Sequence, residues 1–445
     1  MWGRLAVATL AATLVWTGAA AANTFEVTRL NDPVPDGCKR NDCSLREAVL
    51  RSNARTGRDV IVLPNRKRPY RLTRTGSGED EAMNGDLDLV NDSIAIVHRG
   101  KGRATVDGEA AGERVFESFV PTTLSKLVVR GGNAQTGEDS GGAIEAKSSL
   151  TVSNSVLRAN RVSKFGGAIY HNNGTLRVLS SKLVANRALD ESGAIEASGA
   201  RTVIKRSALV NNRADAGNAG AIYVASELLV ERSALTGNRA LLDGGAIYIN
   251  NGDSAIHSST FSRNRSNRDG GAIASHSPNT EIVNSTFSGN RAADWGGAIW
   301  NRGSMVVNAI TVARNVSNSD DAGGGSGGGI YNFTGFTVEI VNSLLALNDQ
   351  LGGDADDCAG VFTSAGGNLR SNGVDCGGFD GTRDTIKANA KIGKLKRNGG
   401  PTPTIALLKG SPAIRRAIKA FAPQRDQRGR RRDARPDSGA YERGA

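Results

Sequence analysis

An isoleucine returns about every 26 residues through the middle of this chain. It follows a small residue each time, at Ile144, Ile169, Ile195, Ile222, Ile247, Ile273, Ile299 and Ile330. The spacings are 25, 26, 27, 25, 26, 26 and 31. An asparagine marks a second phase, at Asn160, Asn186, Asn212, Asn238, Asn264, Asn290, Asn315 and Asn348, spaced 26, 26, 26, 26, 26, 25 and 33. Two markers that keep one period point to a stack of equivalent units rather than one globular core.

The unit Gly244 to Arg268 shows what each repeat must be. Gly244-Gly245 suits a tight bend with positive φ. Ala246-Ile247-Tyr248-Ile249 is a short β-prone run, and Asn250-Asn251-Gly252-Asp253 has turn chemistry. Ala255-Ile256 gives a second apolar step and Ser259-Thr260-Phe261 a third, before Asn264 leads to the next glycine pair. No stretch has a useful helical periodicity. Leucine-rich repeats need an L-x-x-L-x-L pattern that is absent, and a propeller blade needs four strands in a longer unit. The reading is an all-β chain, a single-stranded right-handed parallel β-helix of about eight coils with three strands and three bends in each. Stacking at about 4.8 Å per coil puts isoleucine over isoleucine inside. It also puts asparagine over asparagine as a structural ladder that satisfies buried turn backbone.

The start of the chain reads as a secretory leader. Arg4 precedes an apolar run from Leu5 to Val15, and small residues from Gly18 to Ala22 follow. The expected segments are a signal peptide at 1–22, an N-terminal cap at 23–58, the β-helix at 59–350, and C-terminal coils with a capping segment at 351–445. After leader removal no transmembrane segment is expected. Four cysteines fall in two close pairs. In an exported protein these suggest disulfides Cys38–Cys43 and Cys358–Cys376, with buried free thiols as the alternative. The net charge of +12 favours acidic partners such as anionic polysaccharide. Six arginines between Arg425 and Arg435 form either a polyanion contact or a solvated basic tail.

The run Asp36-Gly37-Cys38 with Cys43-Ser44-Leu45-Arg46-Glu47-Ala48-Val49 resembles the CSLREA N-terminal domain of bacterial surface β-helix proteins. The repeats, as in Ser285-Thr286-Phe287-Ser288-Gly289-Asn290 and Gly296-Gly297-Ala298-Ile299, resemble polymorphic outer-membrane proteins and other pectate-lyase-like β-helices. Asn398-Gly399-Gly400-Pro401-Thr402-Pro403-Thr404, Gly410-Ser411-Pro412-Ala413-Ile414, Asp426-Gln427-Arg428-Gly429 and Ser438-Gly439-Ala440-Tyr441-Glu442 resemble the closing segment of the same proteins. The resemblance implies a secreted, surface or periplasmic β-helix. Arg415 departs from it, standing where an acidic residue is usual. The chain also stops four residues after Tyr441, so a released or periplasmic protein is expected rather than an anchored one; a monomer is the expected state. From the residues themselves, Ser44 and Glu47 form a capping box. It starts a short helix whose Leu45, Ala48 and Val49 would plug the first coil, as an open β-helix requires.

Catalysis on a solenoid needs unrepeated carboxylates that converge from adjacent coils. None is legible, so no catalytic residue is assigned. A polysaccharide lyase or hydrolase remains the alternative to a non-enzymatic, adhesin-like binding protein. Two sets do align by coil. Arg161, Arg187, Arg213, Arg239, Arg265 and Arg291 each follow a ladder asparagine, and Asp190, Asp215, Asp243, Asp269 and Asp294 come a few residues later. The arginines form either a solvated salt-bridge ladder with those acids or a track for an extended polyanion. No specific nucleic-acid contact and no organic cofactor is expected. Asp354, Asp356 and Asp357 are calcium candidates by their density alone. His98, His171, His257 and His276 fall at different phases of the repeat and make no metal set.

Overall fold

In the computed structural model, which describes residues 23–76, 78, 80–135, 140–353, 356–373, 375–386 and 388–444, the chain winds into a parallel β-solenoid. The expected signal peptide lies outside the described residues. There are about 11 turns of about 26 residues. The regular markers cover eight of them, and the less regular turns before Ile144 and after Ile330 make up the rest. Ile144, Ile169, Ile195, Ile222, Ile247, Ile273, Ile299 and Ile330 are in mutual register and fully buried, and Cys358 continues the column. Period and pleat together explain this, because one residue of slip would turn the whole column outward.

Each regular coil has four strands, one more than the sequence suggested. In one coil they are Ile247–Ile249, Ser254–His257, Thr260–Ser262 and Arg265–Ser266. The fourth is the dipeptide after the ladder asparagine. It is too short to carry a hydrophobic alternation and so reads as a bend. Stacked over the coils, these dipeptides build a nine-stranded parallel sheet. Third strands form a 12-stranded sheet, and first and second strands belong to one 24-stranded sheet.

Two side-chain ladders hold the corners. In the first, Asn238 donates from its backbone N and its Nδ2 to Asn264 Oδ1 (both 3.0 Å), and Nδ2 also reaches Leu209 O (3.0 Å). The same pattern links Asn160, Asn186, Asn212, Asn238, Asn264, Asn290, Asn315 and Asn348. A second ladder, of Ser155, Ser181, Ser207, Ser233, Ser259 and Ser285, accepts the backbone N of the preceding coil at 3.0–3.2 Å. Its signal, a serine five residues before every ladder asparagine from Asn160 to Asn290, was present in the sequence and missed. The residue before each rung turns the chain in the left-handed region even where it is not glycine, as at Ala159, Ala185 and Leu347 (φ 53°, 53° and 58°). L-residues resist that conformation. Ladder bonds at every coil offset its cost.

The first turn is closed as expected by helix α1 (Leu45–Asn53). Ser44 Oγ accepts Glu47 N, and Glu47 Oε2 accepts Ser44 N (2.7 Å). Leu45, Ala48 and Val49 are buried in the solenoid core with Phe25 and Ile61. Arg46 is fully buried, paired with Asp32 (2.8 Å), and donates to the carbonyls of Ala82, Asn84, Gly85 and Asp86. Both disulfides, Cys38–Cys43 and Cys358–Cys376, are formed.

The closing segment does more than follow the last coil. After the antiparallel pair Ile392–Lys396 and Thr404–Leu407 it runs back along the flank of the third strands. Gln427 Nε2 donates to Ser259 O (3.1 Å) and Thr260 Oγ1 (2.8 Å), Arg432 reaches Asn284 Oδ1 (3.1 Å), and Ile418 N donates to Asn342 Oδ1 (2.6 Å). Thr260–Ser262, Thr286–Ser288, Thr311–Ala313 and Leu344–Ala346 are therefore buried on every residue. The basic run is not simply a solvated tail. Arg428 pairs with Asp426 (2.7 Å) and Arg432 with Glu442 (3.1 Å), all four side chains buried.

Candidate functional site

The ladder decides where the arginines point. Each ladder asparagine is held inside, so the next residue faces outward and the one after faces in. Arg161, Arg187, Arg213, Arg239, Arg265 and Arg291 consequently pair in register up the fourth-strand sheet. The small residues behind them, including Ala188, Ala214 and Ala292, are buried. Five are exposed and Arg265 is half-buried. The column spans about 24 Å at the spacing of neighbouring strands.

A salt-bridge ladder does not form along this column. Asp215 takes the Nε of both Arg187 and Arg213. None of the other described acids pairs with Arg161, Arg239, Arg265 or Arg291. Burial, with Arg265 and Arg213 on either side, pulls the Arg239 guanidinium below its usual pKa. The acids the sequence set against the arginines are used at the next corner instead. Asp243 is buried, binds Arg268 Nε (2.6 Å) and accepts Asp269 N (3.0 Å). Asp269 Oδ1 accepts Trp295 N (3.1 Å), and burial together with Asp243 pushes its carboxyl up to about 7. Asp294 is also raised, by burial and by Asp320. Asp190 is half-buried beside Glu191.

The calcium candidates are placed otherwise. Asp354 lies outside the described residues. Asp356 accepts Gly327 N (3.0 Å) and Cys358 N (3.2 Å), and burial raises it to about 6. Asp357 terminates the asparagine ladder. Its Oδ1 accepts Asn348 Nδ2 (2.8 Å), and its Oδ2 accepts Ser371 N, Ser371 Oγ and Asn372 N at 2.7–2.8 Å. A carboxylate suits this last rung, because it has only acceptors to offer. Among the described residues, the oxygens of Asp80, Asp88 and Glu117 lie within 4.8 Å of one another. Glu117 there is bound by Arg114 (2.6 Å) and by Lys147. Sequence reasoning missed this cluster because its members come from irregular early turns. Of the histidines, His98 and His171 are buried and His257 sits 3.3 Å from Glu281.

One carboxyl on the first-strand face makes stability pH-dependent. Glu196 lies in register between Tyr170 and Tyr223. Burial pushes it from its ordinary 4.5 up to about 8, against a hydrogen bond from Ser192 that lowers it. The folded chain holds this proton to about pH 8, whereas the unfolded chain releases it near 4.5. The group's contribution is complete below the lower value and is lost as pH rises through the upper one. Thermal melts should show stability falling by on the order of 4 kcal/mol between pH 5 and pH 8.5. Glu196→Gln should flatten that fall. An unchanged slope would remove Glu196 as its source.

Stacked parallel strands, a laddered core and one cationic flank define the chain as a parallel β-solenoid repeat protein. The model of the Chlamydia polymorphic membrane protein (Chlamydia_PMP) repeat matches residues 258–276 and 284–302. Each stretch runs from the third strand through the ladder asparagine and its arginine to the next buried isoleucine. No curated protein matches the sequence.

Proposed function

We propose that this chain is a non-enzymatic bacterial surface β-solenoid that binds an extended anionic polymer along its arginine column. The observation that carries the reading is electrostatic. Four of the six column arginines face no carboxylate partner among the described residues, and burial, together with the neighbouring Arg265 and Arg213, holds Arg239 below its usual pKa. Like charges stacked this closely are destabilising in a sheet, and a bound polyanion relieves them. Each guanidinium offers a two-pronged contact to carboxylate, sulfate or phosphate. Similarity of two coils to the polymorphic membrane protein repeat supports a place at the bacterial surface.

The test compares two triple variants of equal charge. Arg213→Ser, Arg239→Ser and Arg265→Ser together should elute from heparin at clearly lower salt and bind alginate more weakly, with a shallower salt dependence. Arg206→Ser, Arg232→Ser and Arg263→Ser, three arginines off the column, should change elution far less. Equal behaviour of the two variants would reduce the effect to net charge and sink the proposal.

A further inference from the structure

Aromatic residues make up only 5% of the chain, yet several of them gather on one outer face. The middle residue of each first strand points outward. Up the stack that position holds Tyr170, Glu196, Tyr223, Tyr248, Ala274, Trp300 and Tyr331. Ala274 leaves a gap, and His276 fills it. Ring centroids run Tyr223 to Tyr248 at 5.3 Å, Tyr248 to His276 at 5.3 Å, His276 to Trp300 at 5.0 Å, and Trp300 to Phe333 at 6.2 Å. Trp295 packs on Tyr331 at 4.6 Å. Both tryptophans beyond residue 22 are on this face. Trp300 is buried, Phe333 is exposed, and Tyr223, Tyr248, His276, Trp295 and Tyr331 are half-buried.

Folding does not require this row. The interior of the same strands is already filled by the isoleucine column, and Glu196 and Ala274 occupy the outer position in coils that stack equally well. The rings also change tilt, from 17° between Tyr223 and Tyr248 to 46–61° from Tyr248 to Phe333, so the upper rings do not present edges alone. Beside them lies the corner row of Glu191, Asp243, Asp269 and Asp294, and Arg302 covers one side of Phe333. The row is therefore a narrow band of ring surface edged by hydroxyl, carboxyl and guanidinium groups.

We infer that this face is a second binding site, a platform for a neutral glycan lying along the solenoid axis. A sugar ring has C–H faces that pack on aromatic rings and hydroxyl edges that bond acids and tyrosine hydroxyls. Aromatic walls with a few placed polar groups are the usual makings of such a site. The carboxyl row disfavours a polyanion here, so the ligand differs from that of the arginine column. The band is narrow, widening to two ring pairs, Trp295 with Tyr331 and Trp300 with Phe333, only at its upper end, which suits a single polymer chain better than a protein surface with its broad apolar core.

Affinity electrophoresis in gels holding hydroxyethyl cellulose, glucomannan, galactomannan or dextran tests this. The wild-type chain should be retarded in at least one of them. In a matching titration with cellohexaose and mannohexaose, tryptophan emission should shift to the blue as the half-buried Trp295 loses water. Tyr223→Ala, Tyr248→Ala and Phe333→Ala together should weaken retardation about tenfold. Tyr223→Phe with Tyr248→Phe, which keeps the rings, should weaken it less. The arginine-column variant should be retarded like wild type, and heparin elution of the aromatic variant should be unchanged, which also reports that it is folded. The inference falls if no gel retards the wild type, if emission does not move, or if the aromatic variant is retarded as before. Capture of a protein rather than a glycan by this face also overturns it. Loss of heparin binding in the arginine variant leaves this result untouched, so the two sites fail separately.

Discussion

Gly245→Ala should cost roughly 3–5 kcal/mol, enough to leave much of the chain unfolded or insoluble at 37 °C. A Cβ on Gly245 would lie 2.2 Å from Gly271 O and 2.5 Å from Arg265 C. Both are backbone atoms, so neither can swing aside as the end of a side chain could. Gly220, Gly271 and Gly297 meet the same crowding, with a Cβ 2.2 Å from a carbonyl oxygen one coil on. The cause differs from the one the sequence suggested. In the Gly244-Gly245 pair only Gly244 has positive φ (66°). Gly245 is glycine because backbone approaches backbone. Gly335 is the control: its φ is 90° and a Cβ there meets nothing within 4 Å. Gly335→Ala should cost about 1 kcal/mol, the strain of the conformation alone. Urea unfolding followed by circular dichroism measures both, and similar midpoints would show that coils separate more easily than this packing allows.

Asn238→Ala should cost about 4 kcal/mol. The amide makes two donations, to Leu209 O and Asn264 Oδ1, and accepts two, from Asn212 N (3.0 Å) and Asn212 Nδ2 (3.0 Å). All these groups are buried, so removal orphans two donors and a carbonyl. Asn238→Asp should be no rescue at neutral pH. It keeps the acceptor, loses the donor and buries a charge in mid-ladder, unlike Asp357 at the end, whose two oxygens meet donors only. Because each coil contacts only its neighbours, the loss should also split the unfolding transition in two. A single transition with an unchanged midpoint would mean that water replaces the amide at no cost.

The period, the inner isoleucines, the asparagine ladder and the capping box around Ser44 and Glu47 were legible because each repeats or is local. Composition marked the cysteine pairs, and the structure joins them as Cys38–Cys43 and Cys358–Cys376. The arginine positions were legible too, but their partners were not. Asp215 and Asp243 stand at nearly the same phase, yet one binds the column and the other binds Arg268 and the next corner. A difference of two residues in spacing is enough to redirect a carboxylate.

The sequence by itself determined that equivalent side chains stack, because a fixed period and a fixed strand spacing leave them no other arrangement. Only the tertiary structure decided what each stack meets on its outer side. The fourth strand, the flank covered by Gln427 and Arg432, and the row from Tyr223 to Phe333 depend on contacts between coils or between segments more than a hundred residues apart. Periodicity specifies which residues share a column, whereas the direction and neighbours of that column follow from corner geometry. That geometry rests on left-handed residues such as Ala185 and Leu347, whose identities do not announce it.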